Sequence, residues 1–421
     1  MTLFAVEGTA GCGKTVRLME TLREMLAAVS LREGQRALAL TFMHGARRRL
    51  HEQLRRMDGL YGRIECVTVD SFAQHLVRRW RGLGTALGVP ALQPDQYDAQ
   101  CSAAGILLER PEVGAWVAAS FPVVLVDEAQ DLKPERLRMI CALAHSIALL
   151  VAADEFQCLD PALRPNPCVN WLHAICEPVV LTQIHRTNVP ALLTAAASIR
   201  AGAAAQAGHG FQILTAKGLP MAAAYLANAM AWRRGGNVAV ITPSLASTFA
   251  PDVVARVGRQ ACGHQGNGPY AIRWDRSDDD EVAAILESFE MHDAATFAET
   301  LAALNRLPTS GAVRQTVGWA RRQAHAGGVT SFDRAEIVAV IARQVAMRRQ
   351  RFGADRVGFA AMTVHQAKNR EFEGVVVLWP FKVGGDAEHK RRLLYNAITR
   401  ARRWCTVILQ GEDVLNAPPF A

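Results

Sequence analysis

Gly8-Thr9-Ala10-Gly11-Cys12-Gly13-Lys14-Thr15 is the stretch whose reading decides the fold. A short apolar run at 3–6 leads into it, and a helical pattern at 16–28 follows. The spacing fits G-x-x-x-x-G-K-[ST], a loop whose glycines let successive backbone N–H groups turn toward phosphate oxygens at a helix N-terminus. Gly8, Thr9, Ala10, Gly11, Cys12 and Gly13 supply the cradle. Lys14 is placed to reach β- and γ-phosphates, and the Thr15 hydroxyl to join a Mg²⁺ shell. A nucleoside triphosphate with Mg²⁺ is therefore the expected ligand.

Outward from this loop, short apolar runs alternate with amphipathic segments, the pattern of an α/β parallel sheet flanked by helices. Candidate strands fall at 3–6, 37–41, 64–69, 123–127, 148–152 and 179–182. The pattern predicts a first nucleotide-binding domain from 1–72 and 120–195, interrupted at 73–119 by a helical insertion punctuated with Pro and Gly. The low-complexity stretch 201–210 reads as a linker or exposed turn. Strand signals resume at 211–214, 238–242, 359–364, 375–379 and 405–409, with a basic helix expected at 390–403. A second domain of 196–250 and 355–421 is thus expected, split by a mostly helical insertion at 251–354. There, the carboxylates at 278–280 cap one helix, and Ser331 or Asp333 caps another reaching Arg349.

Val123-Val124-Leu125-Val126-Asp127-Glu128-Ala129-Gln130-Asp131 is an apolar strand ending in paired carboxylates. At the C-terminal edge of a parallel sheet, such a pair stands where open α/β folds bind ligands. Asp127 would hold Mg²⁺, usually through water, and Glu128 would orient and activate an attacking water.

The 421 residues suffice for two or more cores. A formal charge of +8 favours an anionic partner, with nucleic acid the obvious choice. Nine cysteines without a C-x-x-C pair suggest free thiols rather than a zinc or iron–sulfur site. The longest apolar stretch, 139–153, is broken by His145 and Ser146 and is too short to span a bilayer. With no basic leader ahead of the first strand, a cytoplasmic location is expected, with no membrane partner.

The string Asp127-Glu128-Ala129-Gln130-Asp131 resembles motif II of the UvrD/Rep group of superfamily-one DNA helicases, and the likeness runs nearly the length of the chain. The stretch at 39–47 is similar to motif Ia, 67–72 to Ib, 153–157 to III and 181–187 to IV. Motif V is matched by 363–368 through Glu371 and Phe372, and motif VI by 391–401. The resemblance implies two RecA-like P-loop NTPase domains with parallel sheets, each interrupted by a mostly helical insertion, and ATP bound between them. It implies that Gln157 senses the γ-phosphate, that Arg186 and Arg400 reach the γ-phosphoryl oxygens across the cleft, and that Glu371 bonds the ribose. His185 stands where the family places a tyrosine against the base. Phe42, His44, Ser71, Thr363 and His365 would line a single-strand path, with Phe42 able to stack on a base. Arg391, Arg392, Arg402 and Arg403 read as a solvated helix face or as DNA-backbone contacts.

The chain departs from the family pattern in several places. No aromatic follows Gln157 in Cys158-Leu159-Asp160-Pro161-Ala162, and only Trp171, if its loop folded back, could replace it. Asn369-Arg370 replaces Gly-Leu in motif V. Both insertions are short. The first expectation is an ATP-driven translocase or helicase on single-stranded DNA or a 3′-tailed duplex, moving 3′ to 5′. The alternative is a DNA-sensing NTPase switch that regulates a protein partner such as a nuclease.

Overall fold

The computed structural model describes residues 2–42, 50–57, 59–93, 96–232, 236–275, 278–352 and 359–421. Six strands, β1 (Leu3–Gly8), β2 (Ala37–Thr41), β3 (Ile64–Thr68), β4 (Val123–Val126), β5 (Ala148–Ala153) and β6 (Val179–Leu181), form the first sheet. Their order is β3-β2-β4-β5-β1-β6, and every pairing is parallel. The runs ALALT and VVLV are buried at every position, as strands covered on both faces must be. This order sets β4, β5 and β1 side by side. The loops leaving their carboxyl ends, which carry the acidic pair, Gln157 and the phosphate-loop sequence, therefore open at one place.

The second sheet runs β7-β14-β13-β8-β12-β9, again wholly parallel. Its strands are β7 (Phe211–Ala216), β8 (Val238–Thr242), β9 (Ile272–Trp274), β12 (Phe359–Thr363), β13 (Phe372–Trp379) and β14 (Ala401–Gln410). Between β9 and β12, β10 (Ala294–Thr296) and β11 (Ser331–Asp333) pair antiparallel. Each large sheet has an apolar core on both faces, and the helices between β9 and β12 bury a separate core around Phe289, Leu304, Phe332 and Ile341.

Several boundaries differ from the expectation. The helix expected at 390–403 is Ala387–Ile398, and Ala401 opens β14, so Arg402 and Arg403 stand on a strand. Pairing of Trp404 through Leu409 with β13 and β7 outweighs the helical propensity of the basic run. Val69 starts the helix Val69–Arg79, because the Thr68 side chain accepts from Ser71 N at 3.1 Å and caps it. Ser331 and Asp333 lie in β11 ahead of the helix Arg334–Phe352. β9 and the helix Phe249–Arg259, inside the stretch read as the second insertion, join the second sheet and its core. The helices at 69–120 share their core with the first sheet: Phe72, Leu76, Cys101 and Val113 pack with Leu38 and Val124. They are a layer of that lobe rather than a separate body.

Candidate nucleotide site between the lobes

The phosphate-loop sequence connects β1 to the helix Lys14–Ala28, with Gly13 (φ 86°) in the left-handed conformation at the helix N-cap. Gly8 and Gly11 are required for close packing. A Cβ on Gly8 would lie 2.6 Å from Leu181 O, and one on Gly11 2.6 Å from the Cβ of Arg186. Lys14 is buried, and its Nζ donates to Gly8 O at 2.8 Å and Thr9 O at 3.2 Å. Thr15 Oγ1 donates to Asp127 Oδ2 at 3.0 Å, which brings together the hydroxyl and carboxylate expected to hold Mg²⁺. Such a pair of oxygen donors, one in the first turn of the helix and one at a strand end, suits a hard cation that keeps several waters. Burial and the neighbouring Glu128 push the Asp127 carboxyl up to about 6.

Glu128 has φ 58°, a left-handed conformation costly for a side chain of this size and met at functional turns. Its Oε2 accepts from Gln130 Nε2 at 2.6 Å. Gln130 is itself fully buried and accepts from Asp154 N at 2.9 Å, tying the loop after β4 to the loop after β5. Gln157 donates to Asp154 Oδ2 at 2.7 Å and accepts from Arg400 Nη2 at 3.1 Å.

A cavity of about 550 Å³ opens above these groups, within the range of small-ligand sites. Gly11, Gly13, Lys14, Thr15, Asp127, Glu128 and Gln157 line it from the first lobe. Asn369, Glu371 and Arg402 line it from the second, and His185 and Arg186 from the segment joining the lobes. His185 N donates to Gly11 O at 2.8 Å, which seats that segment on the phosphate loop. Arg186 Nη1 donates to Thr399 O at 2.9 Å, and its Nε lies 3.1 Å from Glu371 Oε1. Glu371 Oε2 accepts from Arg402 at 2.6 Å, so both its oxygens face arginine. Arg400 does not line the cavity. It lies behind Gln157, 2% exposed, and burial lowers its guanidinium to about 10.

Asn369 explains one departure from the motif pattern. Its φ is 60°, so the loop keeps the left-handed turn that a glycine would supply, and asparagine tolerates that turn better than most residues.

The residues expected on a strand path stand at carboxyl ends of both sheets. Phe42 follows β2 and packs partly on the first-lobe core. Ser71 is exposed on the first turn of its helix, and Thr363 caps the short helix Val364–Ala367, on which His365 is exposed. His44 lies outside the described residues. Trp171 sits on the helix Pro167–Ile175 and packs against the first-lobe core.

Several contacts across the cleft were not expected from the sequence. Tyr395 Oη accepts from Ala10 N at 2.9 Å. Lys368 Nζ pairs with Asp131 at 2.7 Å, while burial pushes that carboxyl up against the pull of the lysine. Arg392, expected on a solvated face, is 4% exposed and donates to Glu155 O at 2.7 Å. Its place in an amphipathic helix is visible in the sequence, but its partner across the cleft is not.

The family model described as AAA domain matches residues 1–219, just over half of the 421 residues. The model described as UvrD-like helicase C-terminal domain matches residues 358–408. No curated protein matches the chain. Among solved structures it is similar to Arterivirus nonstructural protein 10, described as a helicase, in a complex with DNA. That likeness has 13% identity and a TM-score of 0.40, covering 99% of this chain and 62% of that one. A crystal structure of the same viral protein is matched at 13% identity and a TM-score of 0.39, covering 97% of this chain and 59% of that one. The chain thus spans about six-tenths of the length of these structures. With the first half of the chain matching one model, and the strands from β12 to β14 similar to the UvrD-like helicase C-terminal domain, the chain belongs to the AAA domain family.

Proposed function

We propose that the protein hydrolyses ATP between its lobes and couples that cycle to 3′-to-5′ movement along single-stranded DNA. One observation carries this reading: a cavity of about 550 Å³ walled by Lys14, Thr15, Asp127 and Glu128 on one side and Asn369, Glu371 and Arg402 on the other, with Arg186 between. Lys14 and Arg186 bind and orient the phosphates, and Glu128, held by Gln130, takes the proton of the attacking water. Mg²⁺, when held by Thr15 and Asp127, would neutralise phosphate charge. Arg400 holds Gln157, which faces the γ-phosphate position, so departure of phosphate loosens a bond between the lobes. His185 and Glu371 stand at the wall suited to the base and ribose. Phe42, Ser71, Thr363 and His365 supply the strand track on the two sheet edges.

A second reading, a nucleotide switch acting on a protein partner such as a nuclease, draws support from Trp171. Its seat on the first-lobe core leaves the segment after Gln157 without an aromatic stacking platform. ATPase rates with and without single-stranded DNA, alongside displacement on 3′- and 5′-tailed duplexes, separate the two. Stimulation with displacement from the 3′ tail is expected. Hydrolysis indifferent to DNA sinks the first reading in favour of the switch. Glu128→Gln should abolish turnover while retaining nucleotide binding, and continued turnover would overturn the base assignment.

A further inference from the structure

Asp154 is a wholly covered carboxylate with more suitors than a structural anion needs. Its Oδ1 accepts from Phe156 N at 3.2 Å and from Arg200 Nη1 at 2.7 Å. Its Oδ2 accepts from Gln157 Nε2 at 2.7 Å and stands 3.9 Å from Lys14 Nζ. Lys14 is the residue that must turn to a phosphate, so a bare buried carboxylate beside it would be a competitor for the lysine.

Arg200 comes from the opposite lobe. It ends the helix Pro190–Arg200, whose Leu192, Ala195 and Ile199 pack with Phe211 and Val377 of the second sheet. Its guanidinium lies 5.3 Å from the ring of Phe156 and 5.8 Å from that of Tyr395, the tyrosine that accepts from Ala10 N in the phosphate loop. The planar cation is therefore fixed by stacking as well as by its ion pair.

We propose that Arg200 is a positioning residue for Lys14: by occupying Asp154 across the cleft, it releases the lysine to bind phosphate. This rests on reading the cleft as an ATP site. Two cations share one anion, and the nearer holds it more strongly, because attraction in a covered site rises steeply with proximity. Remove Arg200, and among the described residues Lys14 becomes the nearest cation to Asp154. The lysine is then drawn to the carboxylate, and nucleotide binding weakens. Because Arg200 travels with the second lobe, lobe closure itself frees Lys14, and the lysine is held back when the lobes part.

The test measures binding of a fluorescent ATP analogue with Mg²⁺, together with KM and kcat, for the full chain and for Arg200→Ala, Arg200→Lys and the double variant Arg200→Ala/Asp154→Asn. Arg200→Ala should raise Kd and KM about tenfold, the scale of one charge-assisted hydrogen bond, with a smaller change in kcat. Arg200→Lys should fall between Arg200→Ala and the native chain. The double variant should bind more tightly than Arg200→Ala, because the trap for Lys14 is gone. A role in packing alone predicts no such recovery. The proposal is overturned if Arg200→Ala binds like the native chain, or if the double variant binds as weakly as the single one. A native chain that binds no adenine nucleotide overturns the ATP reading itself, and this inference with it.

Discussion

Arg400 is a buried charge retained at a cost to the fold, and replacing it with methionine separates that cost from its function. The residue is 2% exposed, and burial holds its guanidinium at about 10, well below the ordinary arginine range. At about 1.36 kcal/mol per pH unit, the folded state carries roughly 3 kcal/mol against the charge. The sign follows from the direction. A cation whose folded value is lowered burdens the fold fully below pH 10 and ceases to do so only above the ordinary arginine range. Against the relief stand two well-formed hydrogen bonds, Nη2 to Gln157 Oε1 at 3.1 Å and Nε to Asn396 O at 3.0 Å, while a third, Nη2 to Thr399 Oγ1, is stretched to 3.5 Å and adds little. Each of the first two is worth about 1 kcal/mol, so the net gain on Arg400→Met is about 1 kcal/mol. For a chain this long, that moves Tm upward by no more than about 2–4 °C. Turnover should nevertheless fall by about 10²-fold, the scale of a misplaced positioning group, because Gln157 at the cavity wall loses the guanidinium that holds its Oε1. Thermal unfolding without nucleotide and a coupled ATPase assay measure the two effects. Glu128→Gln serves as an inactive comparison. A Tm lowered by more than about 4 °C, or turnover kept within tenfold, would refute the reasoning.

Asp127→Asn should stabilise the metal-free protein at pH 7.5 by up to about 3 kcal/mol while abolishing Mg²⁺-dependent turnover. The folded value is raised to about 6, so the contribution of this carboxyl to stability is present below pH 4 and lost as pH rises through 6. The gain seen by thermal unfolding must therefore shrink toward zero near pH 4, and a gain independent of pH would contradict it. Gly11→Ala combines φ +80° with a Cβ 2.6 Å from the Cβ of Arg186, so it should weaken nucleotide binding in titration. Unaltered affinity would mean that the loop and Arg186 do not need this approach. Lys368→Ala leaves Asp131 without its cross-lobe cation and should cost roughly 1–3 kcal/mol, less than a fully buried pair because the Asp131 side chain is 24% exposed. Adding Asp131→Asn should restore most of the loss in a denaturant titration, and equal instability in the double variant would show that the pair does not act as one.

What could be read in the sequence was chemistry tied to local backbone. The glycines and Lys14 announce a loop between strand and helix, and Asp127-Glu128 announces the end of an apolar strand, because both patterns are complete within a few residues. What escaped was set by tertiary pairing. The run Arg400-Ala401-Arg402-Arg403 has helical composition, yet its continuation pairs between β13 and β7, and the helix stops at Ile398. Arg402 accordingly reaches Glu371 at the cavity wall rather than facing solvent from a helix. Asn369 looked like a break in a motif, because a letter pattern does not encode φ. Arg200 carries no local signal, since its partner is 46 residues earlier and in the other lobe.

The five residues after β5 show why this pairing matters for coupling. Asp154 bonds Arg200, Glu155 O and Cys158 O accept from Arg392, and Gln157 Oε1 accepts from Arg400. Between them the ring of Phe156 lies 5.3 Å from one guanidinium and 5.4 Å from another, with Tyr395 packed edge-on at 5.1 Å. Each of these five residues thus meets an arginine that moves with the second sheet. The segment begins where Lys14 approaches Asp154 and holds the glutamine that lines the cavity. A change in charge at the phosphate position therefore acts on a strip that cannot shift without loosening three arginines together. Contacts linked in this way would break together rather than one bond at a time, which favours two discrete arrangements of the lobes over a continuous range.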